Sequence, residues 1–290
     1  MLEIIGLLVS LTLIFAIVMK KGGIGVALLA GSVALGLITL SPSDFSRVVI
    51  KALLDIKTFE LTSAVAIIAL LGAIYKITGL LDELSNGLRK ALPSDKLVME
   101  LVPAIFGLLP VLGGALMSAP VVDAVGNDMG LEPDEKTFIN LWFRHVVFFL
   151  YPVGTTLLLA SYLSGVEVKP LIIAQLPVFF TSVAAGQSIW FVTKSKEIER
   201  EIERLFSKKE LTKAIFPIFL VSIFGITKKW LITVGVLFAI LFLWFIGKLQ
   251  LDSFKKALKE ARLSEMILVG AGVMVYRATV EASGITTTIG

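Results

Sequence analysis

Few side chains in this sequence could do chemistry inside an apolar environment. The strongest group is Asp123, Arg144 and His145, with Ser118 just upstream. Thr137, Asn140, Arg144, Tyr151 and Thr155 fall within a narrow arc at 100° per residue, which predicts a polar stripe along one otherwise apolar helix. A stripe facing Asp123 lets Arg144 pair with it, or leaves the guanidinium to grip an anion bidentately. His145 is the only histidine; an imidazole suits a proton relay, although one set among Val and Phe also reads as a packed helix residue. The stretch before Asp123 contains Pro103, Pro110, Gly113, Gly114 and Pro120. Prolines remove backbone donors and glycines loosen the chain, so carbonyls or amides are left available for a cation or a carboxylate. The alternative for these small residues is a close-packed helix crossing.

Those groups must be positioned by helices in a bilayer. Hydrophobic residues make up 56% of the 290, and the mean hydropathy is +0.91. Several runs exceed the roughly 18 apolar residues that mark a spanning helix. The expected class is therefore all-α, a polytopic integral protein of the cell membrane. A net charge of +4 reports orientation here, and no nucleic-acid partner is expected. Cysteine is absent, which removes disulfides and thiolate chemistry. No metalloprotease, phosphate-loop or serine-hydrolase motif occurs, so the chain is read as a non-enzyme with no cofactor beyond a coupling Na⁺. An intramembrane hydrolase is disfavoured for the same reason.

In order, spans are predicted at about 2–19, 24–40 and 58–80, with an amphipathic helix before the third carrying Phe45, Val48, Val49, Ala52 and Leu53 on one face. Residues 81–92 look interfacial as well. The region 97–125 reads as a re-entrant hairpin with its tip from Pro110 to Pro120, because broken backbone survives at membrane depth only against protein or water. The alternative is a Pro-kinked spanning helix. A long helix over 134–164 is expected to break at Tyr151-Pro152-Val153-Gly154. Another span follows at 171–193, then a charged cytoplasmic linker, 194–213, and spans at 211–226, 231–247 and 264–282.

The opening order of span, Lys-Lys, span, amphipathic helix and span recurs from 211 onward. Lys20-Lys21 matches Lys228-Lys229, SDFSRVVIKALL matches LDSFKKALKEA, and Tyr75-Lys76 matches Tyr276-Arg277. Residues 1–193 then form a first transporter repeat, with the hairpin at about 97–125, and 214–290 a partial second repeat that is expected to be incomplete. Lys76 and Arg277 lie near span ends, where snorkelling competes with a transport role. Placing the N-terminus outside with 97–125 as a hairpin puts Lys and Arg inside by roughly three to one, and inverts the second repeat.

GGALMSAPVVD and KTFINLWFRHVV resemble the signature region of an uncharacterised prokaryotic membrane family, domain-of-unknown-function family 401. That family is grouped with the ion-transporter superfamily of gluconate, citrate and dicarboxylate permeases. The resemblance implies an inverted-repeat fold with a re-entrant hairpin, and secondary transport of a small organic anion coupled to Na⁺ or H⁺. Its substrate- or ion-binding positions here would be Gly113, Gly114, Ser118, Pro120, Asp123, Asn140, Arg144 and His145. The expected partners are a small anionic substrate and the lipid bilayer, with a homodimer compatible. The competing expectation is a non-transporting scaffold or truncated remnant.

Because the chain has no cysteine, single cysteines can be introduced without background. Cysteines at positions 95 and 130 are expected to react with an impermeant maleimide from the same face of the membrane. Labelling from opposite faces would replace the hairpin with a crossing.

Overall fold

The computed structural model describes residues 2–108, 114–193 and 208–285, and no strand occurs among them. The chain divides into two compact units, Met1–Ala69 with Ala261–Gly290, and Leu70–Glu260.

The first unit is built around α1 (Leu2–Met19), α2 (Ile24–Thr39), α3 (Pro42–Leu54), the start of α4 (Ile56–Ile77) and, much later in the chain, α15 (Leu263–Ala282). Helix α3 starts where Ser41 accepts a hydrogen bond from the Asp44 amide at 3.1 Å and Pro42 occupies the first turn. Small residues let α15 approach its neighbours. A Cβ on Gly25 of α2 would stand 2.4 Å from the Leu268 carbonyl carbon, and one on Gly270 would stand 2.8 Å from Thr62 Cα. Ser10 donates to the Tyr276 hydroxyl at 3.1 Å, so the tyrosine of the repeated Tyr-base pair is held inside this unit. The amphipathic face expected on α3 is only partly covered. Ala52 is buried and Phe45, Val48 and Val49 are half-buried, whereas Leu53 is exposed.

The second unit continues through α5 (Leu80–Ala91), α6 (Asp95–Gly107), α7 (Gly114–Asp128) and α8 (Pro133–Val146). A 3-10 turn, Val147–Phe149, leads to α9 (Thr155–Ser164), α10 (Val168–Gln187) and α11 (Ile189–Val192). Then come α12 (Lys208–Thr227), α13 (Leu231–Phe245) and α14 (Leu251–Glu260). The break predicted at Tyr151-Pro152-Val153-Gly154 is present, because Pro152 cannot continue the hydrogen-bond ladder. Helix α5 buries Leu80, Leu81, Leu84 and Leu88 and packs on α12, so its apolar face is covered by protein rather than left at an interface. Lys248 clamps the Glu83 carboxylate of α5 at 2.7 and 2.8 Å. Tyr75, fully buried, donates to the Ala214 carbonyl at 2.6 Å.

Among the described residues, four helical stretches are long and apolar enough to cross a membrane: Leu2–Met19, Ile56–Ile77, Val168–Val192 and Leu263–Ala282. The linker expected over 194–213 lies outside the described residues as far as 207, and 208–213 belong to α12.

The α2–α15 crossing gives a direct test. Gly25→Ala forces a methyl into backbone and is expected to destabilise the purified chain by about 1–3 kcal/mol in detergent melting. Gly23→Ala, whose Cβ would meet only Glu265 at 4.0 Å, should leave the melt unchanged.

Candidate functional site

Three helices of the second unit assemble the site. Ser94 caps α6 by accepting from the Leu97 amide at 3.3 Å. Helix α7 ends in a Schellman turn: the Leu131 amide returns to the Gly126 carbonyl at 2.8 Å and the Gly130 amide to Asn127 at 3.0 Å. Gly130 sits at φ +74°, the left-handed geometry this turn requires and a side chain resists. Pro133 then starts α8, and Glu135 accepts from the Glu132 amide at 2.8 Å. The turn sends α8 back along α7. On the other side, Met99 of α6 lies against Gly126 of α7, so α6 and α7 also run in opposite directions.

Two side-chain contacts fix the α7–α8 register. Lys136 reaches Asp123 Oδ1 at 2.6 Å and Asn127 Oδ1 at 2.6 Å, its stem lying over Gly126. Ser118, fully buried, donates to Asn140 Oδ1 at 2.6 Å. Continuing that register by one turn sets Arg144 level with Gly114, the first residue of α7. The end of α6 meets the same place, because a Cβ on Gly107 would stand 2.3 Å from the Arg144 carbonyl oxygen. Arg144 is only 8% exposed. Its Nη1 is enclosed without a hydrogen-bond partner, and no carboxylate pairs with the guanidinium among the described residues.

The predicted residues therefore separate. Ser118 and Asn140 meet, and Arg144 lies one turn beyond Asn140 on α8. Gly113, like Pro110, lies outside the described residues. Pro120 is not part of a broken tip: α7 is already helical from Gly114, and Pro120 is exposed on its surface. The expected Asp123–Arg144 pair does not form. Asp123 is exposed and takes Lys136 instead, and Arg144 lies eight residues, about 12 Å, farther along α8. His145 turns away from the cluster. Its Nδ1 lies 2.6 Å from the Leu141 carbonyl, its ring meets Phe148 edge-on, and it lines an apolar groove with Phe138, Trp142 and Phe149. Of the stripe, Thr137 is exposed and bonds back to Pro133, and Thr155 begins a separate helix.

Two buried carboxylates of α6, Asp95 and Glu100, escaped the sequence reading. Glu100 of α6, 8% exposed, accepts from Gln187 Nε2 at 2.8 Å and Trp190 Nε1 at 2.5 Å, tying the site to α10 and α11. The signal was available, since Glu100 is the sole acidic residue between Asp95 and Asp123.

A family model described as "Protein of unknown function (DUF401)" matches residues 2–290. The chain belongs to this family. A search of curated proteins returned no match. Membership covers every helix named above, so the Ser118–Asn140–Arg144 cluster lies within the family's own extent rather than in an appended segment.

Removing the Glu100 acceptor strands two donors. Glu100→Ala is expected to destabilise the chain by about 2–5 kcal/mol, at 1–3 kcal/mol per buried unsatisfied donor, and to shift Trp190 emission. Gln187→Leu should produce part of the loss. An unchanged melt in both variants would dismiss the anchoring role.

Proposed function

We propose that this chain is a multi-pass secondary transporter, a permease for a small organic anion, with Arg144 as the anion-binding residue. The observation that carries the reading is the buried guanidinium with an unpartnered Nη1. A buried charge without a counterion costs several kcal/mol, and a bound carboxylate would remove that cost through charge-assisted hydrogen bonds. Ser118 and Asn140 supply neutral polar groups one turn away. Asp123, already neutralised by Lys136, has no place in this site, and neither has His145.

Helix length supports the re-entrant reading. Helix α6, at 13 residues, is about 20 Å long against a hydrocarbon core of about 30 Å. The order of α1–α4 recurs in α12–α15, with a short amphipathic third helix each time, which suits inverted repeats of the kind used by ion-transporter-superfamily permeases. Movement of one helix group against another would expose the Arg144 site alternately to the two faces, driven by a Na⁺ or H⁺ gradient.

The test is uptake of labelled citrate, gluconate and succinate by the full chain in proteoliposomes, under a Na⁺ gradient and separately under a proton gradient. Arg144→Ala is expected to lower uptake of the accepted anion by about 10- to 150-fold, the value of a charged hydrogen-bonded contact, and Arg144→Lys less. Arg144→Met should melt no lower than the original chain. Uptake within twofold in Arg144→Ala, or a collapsed melt in Arg144→Met, would assign the residue to structure instead.

A further inference from the structure

The first unit contains a cavity of about 490 Å³ with no part in the site above. It lies between the α3–α4 elbow and the last turns of α15, and its charged lining is Lys51, Asp55, Lys57, Arg277 and Glu281. The two carboxylates are already engaged. Asp55 Oδ1 accepts from the Lys57 amide at 2.9 Å, capping α4, and Glu281 takes Arg277 Nε at 2.7 Å. Lys51 and Lys57 have no ion-pair partner among the described residues. The elbow is held in shape by Thr58, buried, which donates to the Ala52 carbonyl at 2.6 Å. Large apolar side chains stand exposed on the same elbow: Leu54 is 82% exposed, Ile56 65% and Phe59 69%.

A comparison within the chain sharpens the meaning of those cations. In the second unit Lys76, the base of the first Tyr-base pair, meets Glu260 at the end of amphipathic helix α14. Setting Phe45 of α3 against Phe254 of α14 puts Lys51 in the place of Glu260, and setting Tyr75 against Tyr276 separately puts Arg277 in that of Lys76. Where one helix pair supplies an anion for the base, the other supplies a further cation. Arg277 takes its anion from Glu281, so Lys51 and Lys57 leave the cavity lining, three cations to two carboxylates, with an excess of positive charge.

We infer that this cavity binds the headgroup of an anionic phospholipid. The phosphate sits against Lys51 and Lys57, and the acyl chains run over Leu54, Ile56 and Phe59. A soluble phosphoester would match the cations but would have no use for the exposed apolar elbow, whereas a lipid satisfies both. A zwitterionic lipid would match the elbow without complementing the excess charge. The inference does not depend on transport or on Arg144.

The experiment is native mass spectrometry of the full chain in neutral detergent with equimolar phosphatidylglycerol and phosphatidylcholine. The original chain is expected to retain one phosphatidylglycerol in preference to phosphatidylcholine. The K51Q/K57Q double variant should lose that preference by roughly 30-fold, while K51R/K57R keeps it. Both variants change exposed side chains, and their melts report whether folding is intact. An unchanged lipid ratio in K51Q/K57Q would overturn the inference. So would displacement of the lipid by equimolar glycerol phosphate, which would identify a soluble ligand.

Discussion

The register between α7 and α8 governs the second unit. It is set by three local features: the glycine-dependent turn at Gly130, the Lys136–Asp123 contact and the Ser118–Asn140 hydrogen bond. A turn of that type leaves little freedom in how the next helix departs, and the two side-chain contacts lock the pair one and a half turns apart. The location of Arg144 is a consequence. It lies one turn past Asn140, at the level where α7 begins and where Gly107 brings the end of α6 against the α8 backbone. A slip of one residue would rotate Arg144 about 100° away from that junction.

Much of the helical framework could be read from the sequence, because it rests on local chemistry. Proline and glycine marked the break at 151–154, whereas the proline- and glycine-rich stretch 109–113 lies outside the described residues. Helical phase correctly put Asn140 and Arg144 on one buried face. Phase does not say which neighbour that face meets, however, and the Asp123–Arg144 pairing failed there. Lys136, in the first turn of α8, sends its long stem across Gly126 and captures Asp123 first. Glu100 was missed for a related reason: its partners Gln187 and Trp190 are some 90 residues away, and nothing local announces them.

Amphipathic helices show the same limit. Helices α3 and α5 carry comparable apolar faces in sequence, but α5 buries four leucines and α3 buries little beyond Ala52. A hydrophobic face only requires an apolar partner, which can be protein or lipid. Among the long apolar helices the division is equally sharp. Ile56–Ile77 has 61% of its apolar window buried, against 11% for Leu2–Met19 and 6% for Val168–Val192. The exposed surfaces of the latter two are those that hydrocarbon would have to cover.

Glu100 and Arg144 provide the sharpest contrast in how buried charge is handled. The carboxylate is met by two neutral donors, which satisfy it without cancelling its charge. The guanidinium receives less, since Nη1 is enclosed with nothing to donate to among the described residues. Pairing the two would have offset part of both desolvation costs by their mutual attraction, and an apolar pair of similar volume often costs less still. Both groups are buried, lie on neighbouring helices, and remain apart. Arg144 thus stands where the ends of α6 and α8 meet with part of its donor capacity unused among the described residues.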